Sequence, residues 1–241
     1  MRYSVLNLFE NVLAFFLIIG CASIYVHSDN TVKLIINGSI MLLITLISTL
    51  SFYLLLCNHK LTYKLMIIWL SYFVFFLVPF TILNNLNYPI GIFFIVQFSL
   101  LPGMIFYFQF CLENNNPWSL LIKIDRIIYI VAIISLICWF MFSILKLVNP
   151  TSYVYTDWGA LRAIPSFYGI YFETQPVSVY GISIVRNTAF FTEGPMYAFV
   201  LSISFIFKMF LFKKNIREII VIIFAMLSTI TSTTLIIIIL V

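Results

Sequence analysis

Charge is scarce in this sequence. Of its 241 residues 13 are Lys or Arg and 8 are Asp or Glu, 9% in all, against 63% hydrophobic side chains and a mean hydropathy of +1.12. Soluble domains carry about 25% charged and 45–50% apolar residues, so a soluble fold fails on both counts. A bilayer core accepts apolar side chains on every face and rejects charge, which is what this balance reflects. The net charge of +5 is dispersed, and without Lys and Arg clustered on a polar face there is no footprint for nucleic acid. Cysteine is also sparse. Cys21, Cys57, Cys111 and Cys138 stand in or beside apolar runs with no CxxC pair. A zinc or redox motif therefore has no support, and the four read as small buried hydrophobes. Absent too are a P-loop, GxSxG, HExxH and a dinucleotide fingerprint, so ATP-driven transport and ordinary hydrolase chemistry lack a basis. There is no internal repeat and no low-complexity tract.

Long apolar runs are what the sequence has. They cover residues 5–26, 34–57, 65–83, 90–112, 127–148, 195–212 and 219–241. A spanning helix needs about 20 apolar residues at 1.5 Å each. The expectation is one all-α membrane domain, 1–241, with seven spans and a long connection at 149–188 between the fifth and sixth. Ile18-Ile19-Gly20-Cys21 looks like a lipoprotein processing site. Only Arg2 precedes it as a basic residue, and further apolar runs follow, so a chance match inside a first span is the better reading. Tyr25, Trp69, Tyr88 and Trp118 fall near run ends, where amphipathic rings favour the headgroup zone. Basic residues at Arg2, at His59/Lys60/Lys64, at Lys123/Arg126 and at Lys213/Lys214/Arg217 alternate with poorly charged connections. Positive-inside bias then puts the N-terminus and those turns in the cytoplasm and residues 149–185 outside, in a multi-pass protein of the cytoplasmic membrane. Lys208 is expected to snorkel from near a span end. The last run reaches Val241 without a polar cap, which reads as the N-terminal part of a longer protein.

Polar residues near the membrane are costly and so are candidate sites. Glu10 reads as interfacial, close to Arg2. His27 and His59 stand alone, with no second ligand in spacing for a metal. Gln97 and Gln109, and the hydroxyl cluster Ser228-Thr229-Thr231-Ser232-Thr233-Thr234, read as hydrogen bonding and close packing between helices. The connection 149–188 is longer than ordinary loops. It is rich in aromatics (Tyr153, Tyr155, Trp158, Phe167, Tyr168, Tyr171, Phe172, Tyr180), which argues for packing rather than disorder.

The stretch that closes it is Val185-Arg186-Asn187-Thr188-Ala189-Phe190-Phe191-Thr192-Glu193-Gly194-Pro195. Thr192 suits a helix cap, Glu193 the positive N-terminus and Pro195 a first turn. That account leaves Arg186, and Arg162 earlier in the loop, unexplained. Arg186, Phe191, Glu193, Gly194 and Pro195 together resemble a signature of the Wzy-type O-antigen and capsular polysaccharide polymerases and the related O-antigen ligases. In those proteins the long external loop ends in Arg, a short apolar piece closing on Phe, and Glu-Pro or Glu-Gly-Pro before the next helix. The hydroxyl-rich run Leu227–Thr234 is also similar to their following span. Ala189 departs from the pattern, standing where many members carry Gly.

The resemblance implies a helical membrane protein with more spans than this chain. Its implied activity is a glycosyl transfer that joins oligosaccharide units carried on undecaprenyl diphosphate at the outer face of the cytoplasmic membrane. It needs no cofactor. The implied partners are the lipid-linked oligosaccharide, membrane lipids and a chain-length regulator protein. On that reading Arg186 binds the diphosphate with its planar fork and Glu193 acts as base for the acceptor hydroxyl. Arg162 guides the substrate, and Trp158, Tyr168 and Tyr171 offer ring faces to sugars. A flippase or other transporter remains the alternative. It predicts ionisable residues inside the spans and paired broken helices. A non-catalytic membrane fragment is the other alternative.

Overall fold

A computed structural model of the chain describes residues 2–85, 100–156, 162–179, 181–212 and 215–241. Tyr88, Gln97, Lys213 and Lys214 lie outside the described residues. The apolar runs form helices, since straight-chain and apolar residues lose little on entering one and bury backbone polar groups within it. They are α1 (Arg2–Gly20), α2 (Ile24–Ser28), α3 (Asn30–Cys57), α4 (Tyr63–Asn85), α5 (Met104–Glu113), α6 (Ser119–Cys138), α7 (Gly194–Ile206), α8 (Ile216–Ser228) and α9 (Ser232–Leu240). Helices α6 and α7 run on as wider π-helical turns over Trp139–Ile144 and Phe207–Leu211.

Among the described residues, three helices are long and apolar enough to cross a membrane: Asn30–Cys57, Ser119–Ile144 and Gly194–Leu211. A mainly helical chain with three helices that could cross a membrane is therefore what the structure shows, whereas seven continuous spans are not supported. Two of the seven apolar runs are interrupted. The run 5–26 leaves helix after Gly20, turns through Ala22 at φ 51° and restarts at Ile24. The run 219–241 leaves helix after Ser228, turns through Ile230 at φ 49° and restarts at Ser232. Hydropathy reports side chains only; a backbone can leave the helix inside an apolar run where its freed N–H and C=O groups find partners within the protein. Residues 86–99 lie outside the described residues, so the run 90–112 is seen only from 100, where it ends in the ten-residue α5.

The loop expected at 149–188 corrects the all-α reading. It carries β1 (Ser152–Thr156), β2 (Arg162–Phe167), β3 (Tyr171–Phe172), β4 (Pro176–Val179) and β5 (Ile182–Val185). The first three form one antiparallel sheet in the order β1-β2-β3, and β4 and β5 form a hairpin. Alternating Tyr-Val-Tyr and Val-Ser-Val, and the β-branched Ile182-Ser-Ile-Val, are strand patterns that the apolar content of the flanking runs masked. Tyr168 and Gly169, at φ 55° and 68°, make the tight reversal between β2 and β3.

The chain divides into two compact units, one of Met1–Leu13 with Asn37–Leu120 and one of Ala14–Ile36 with Leu121–Val241. In the first, Phe106 sits edge-on to Phe52 with centroids 4.9 Å apart and tilted against Trp69 at 5.8 Å. Gly103 lies so close to Ser48 that an added Cβ would meet its hydroxyl at 3.2 Å. Glu10 is buried within the protein, 3% exposed, and accepts from Ser119 Oγ at 2.8 Å. Gln109 donates to Glu113 on its own helix rather than across helices. Of the cysteines, Cys111 is buried, Cys21 and Cys138 half-buried and Cys57 exposed, so only the first matches the expected burial.

The second unit is built on Ile128, Ala132, Phe191, Tyr197, Leu201, Ile222, Ala225 and Met226. The strands are tied to the end of α6. The Trp139 indole donates to the Val185 carbonyl at 2.8 Å, and Phe142 stacks on Phe167 at 4.8 Å with planes 5° apart. Lys208 does not snorkel. It is 3% exposed, bonded to Asp125 at 2.7 Å and to Glu218, and it lies over the Tyr129 ring. A lysine at that depth is held by two carboxylates, because an unpaired charge there is too costly.

Candidate functional site

The segment 186–194 runs between the two interrupted helices, and each interruption is satisfied by it. The Thr192 N–H and hydroxyl both donate to the carbonyl of Ala22, at 3.0 and 3.1 Å. The Ile24 N–H donates to the carbonyl of Phe190 at 2.9 Å. At the other break the Asn187 N–H donates to the carbonyl of Ser228 at 3.0 Å. Three main-chain groups released by the broken runs are thereby paired with the motif rather than left bare in an apolar setting. Thr192 is consequently not the helix cap. Glu193 holds that position in extended conformation, without a capping bond from its side chain, and Pro195 takes the first turn as expected.

Asn187 anchors the segment inward. It is fully buried, its amide nitrogen donates to Ser228 Oγ at 2.9 Å and Ser135 Oγ at 3.2 Å, and its amide oxygen accepts from the Ala189 N–H. That last bond closes a tight turn in which Ala189 sits at φ 49°, a left-handed conformation that suits Gly. Beyond it Phe190, Phe191 and Tyr197 stack in sequence, with centroids 4.6 and 5.2 Å apart. The Tyr197 hydroxyl meets Ser135 Oγ at 2.6 Å.

Arg186 points the other way from Asn187, as neighbours on extended backbone do. Its side chain lies against the start of α7. A Cβ built on Gly194 would meet Arg186 Cδ at 3.2 Å, the Thr229 carbonyl at 3.3 Å and Thr231 Cγ2 at 3.5 Å. Any larger residue there would have to push these neighbours back by a few tenths of an ångström. Gln175 Oε1 accepts from both Arg186 Nη1 at 3.4 Å and the Gly194 N–H at 3.3 Å. Arg186 Nε is buried with no acceptor among the described residues. The hydroxyl cluster proves to be the edge of this place, with Thr229, Thr231 and Thr234 linked Oγ to Oγ at 3.2 and 3.1 Å across the break. Close packing of continuous helices was the expectation, and the interruption is the correction.

The other expected substrate residues are distributed unequally. Arg162 opens β2 opposite Thr156, with its Nε also buried and without an acceptor. Tyr168, at the β2–β3 reversal, is 64% exposed and offers a ring face. Tyr171 does not. It is fully buried, and its hydroxyl is 2.9 Å from Ser143 Oγ, which donates to Glu173. Burial pushes the Tyr171 phenol well above its ordinary pKa, and nearby Glu173 adds to the shift, so the group stays protonated. Trp158 and Tyr180 lie outside the described residues. Gln175 and Asn187 went unnoticed in the sequence, since amides in an apolar loop carry no motif; the proximity of Asn187 to Arg186 was the only available signal. No protein-family model, curated protein or solved structure matches this chain.

Proposed function

We propose that this chain works on lipid-diphosphate-linked oligosaccharide as a polymerase of the Wzy type, at the outer face of the cytoplasmic membrane, with its N-terminus in the cytoplasm. The observation that carries the reading is the shared acceptor Gln175, which brings the two ends of the Arg186 to Gly194 motif to one place. A leaving diphosphate gathers negative charge. Arg186 brings a permanently charged fork, with a buried Nε–H that no acceptor among the described residues uses, to the positive end of α7. Glu193, at the mouth of the same helix, has the chemistry of a base for the acceptor hydroxyl. The exposed ring of Tyr168 suits the C–H face of a sugar. The left-handed Ala189, where the resembled proteins often carry Gly, adds support.

The substitutions belong in the gene at its own locus, with polysaccharide chain length measured at matched membrane abundance. Arg186→Lys keeps the charge and loses the fork; Glu193→Gln keeps the shape and loses the charge. Each is expected to reduce chain extension on the order of 10²-fold. Near-normal chains from both variants would defeat the assignment.

Transport of the same class of lipid-linked sugar is the second reading. It draws on the two interrupted runs and on the buried Asp125–Lys208 pair with the half-buried Glu218, features that suit transporters. It predicts that Lys208→Met combined with Asp125→Asn and Glu218→Gln stops sugar units from reaching the outer leaflet at matched membrane abundance, with Arg186→Lys harmless.

A further inference from the structure

Gln175 and Arg186 face one another one step outside the last paired residues of the β4–β5 hairpin, Pro176 and Val185. The Arg186 N–H donates to the Gln175 carbonyl at 3.2 Å, so backbone pairing continues to this position. Cross-strand neighbours at such a site have their side chains side by side. The Gln175 amide oxygen then accepts from Arg186 Nη1 and from the Gly194 N–H. Both groups facing it are obligate donors, so chemistry alone orients that amide with its oxygen toward them. A neutral acceptor placed there has a particular consequence. It fixes the guanidinium against the first turn of α7 and adds no negative charge beside it. A carboxylate in the same place would hold the arginine better and neutralise it.

We infer that Gln175 is a positioning residue that holds Arg186 and the first N–H of α7 on one neutral oxygen, fixing the arginine for a phosphate-class anion without adding a negative charge of its own. The inference rests on reading Arg186 as the anion-binding group. The guanidinium Nε is buried and has no acceptor among the described residues, so Gln175 is the side chain seen to hold this arginine.

The sign of two effects separates positioning from mere packing. Gln175→Glu keeps shape and acceptor and adds a negative charge beside an arginine and a helix N-terminus, both of which favour it. A carboxylate beside Arg186 weakens anion binding if Arg186 is the anion-binding cation, so Gln175→Glu tests whether the oxygen there must be neutral, and Gln175→Met, which removes the acceptor without adding charge, tests positioning. Gln175→Met fills similar volume with no acceptor and lets the guanidinium swing.

The test is titration of inorganic pyrophosphate into the whole protein in lipid nanodiscs, with thermal melting alongside, for the parent, Arg186→Lys, Gln175→Glu and Gln175→Met. Expected are pyrophosphate affinities lower by roughly 10-fold for Gln175→Glu and a few-fold for Gln175→Met, with no fall in melting temperature for the former. Parent-like binding by Gln175→Met overturns the inference whatever Gln175→Glu does, as does parent-like binding by Gln175→Glu. Absent binding by the parent, or Arg186→Lys binding as the parent does, removes the anion-site reading itself and the inference with it. Loss by Arg186→Lys with both Gln175 variants normal removes only the inference.

Discussion

Ser135 and Ser228 each donate a hydroxyl proton to a carbonyl one turn back, at Ala132 (3.0 Å) and Ala225 (2.7 Å). Their lone pairs are what the Asn187 amide nitrogen meets. An aspartate there would set an acceptor oxygen against those lone pairs in place of the amide nitrogen and lose both donors. Asn187→Asp is therefore expected to cost about 2 kcal/mol or more in stability, read as a lower melting temperature of the purified protein. An unchanged melt would show the amide to be incidental. Lys208 presents the charged version of the same rule. Asp125 accepts from Ser204 at 2.6 Å as well as from Lys208, and Glu218 accepts from Asn215 at 2.8 Å. Lys208→Met leaves those carboxylates without their cation and is expected to cost roughly 3–5 kcal/mol, while the triple change with Asp125→Asn and Glu218→Gln recovers most of it. Denaturant unfolding in detergent tells the two apart; equal loss in both would refute the account.

At the scale of the element, the interruption after α8 has a substitution signature of its own. In a continuous helix Gly is worse than Ala by about 1 kcal/mol. At Ile230, held at φ 49°, the order reverses, because a Cβ in the left-handed region costs about 1–2 kcal/mol and Gly carries none. Ile230→Gly should therefore melt at or above Ile230→Ala. The opposite order would restore a continuous helix over 219–241. Gly194 is the complementary case. Its missing Cβ is the room in which Arg186 and Thr229 meet, so Gly194→Val is expected to displace the guanidinium and abolish site function without hydrophobic loss.

For the whole molecule the useful question is which segments lie on opposite sides of a bilayer. Tyr168 precedes the long apolar helix Gly194–Leu211 and Asn215 follows it, with both residues exposed. Single cysteines at these two positions in a cysteine-free background should label from opposite sides, Tyr168→Cys from outside the cell and Asn215→Cys after permeabilisation. Ser166 would be a poor reporter, since it is buried in β2. Labelling of both positions from one side would show that Gly194–Leu211 does not cross, and the external location of the site would fall with it.

Composition alone pointed to long apolar helices of a length that can cross a membrane, since 63% hydrophobic and 9% charged residues depart far from the balance of soluble domains. Side-chain identity also carried the arginine, the helix start at Gly194-Pro195 and the aromatic packing of the loop, because those features are local in the chain. The tertiary structure decided the rest. Whether an apolar run continues as helix depends on what its backbone can bond to if it stops. At Ala22 and Ser228 the partners are Thr192 and Asn187, distant in sequence and invisible to any local pattern. The burial of Glu10 and Lys208 was hidden for the same reason: a charge enters the interior only where a remote partner meets it, and Ser119, Asp125 and Glu218 are such partners. The strands of 152–185 lay in plain view as alternating residues, but their pairing into two sheets is a long-range matter of register that alternation does not specify.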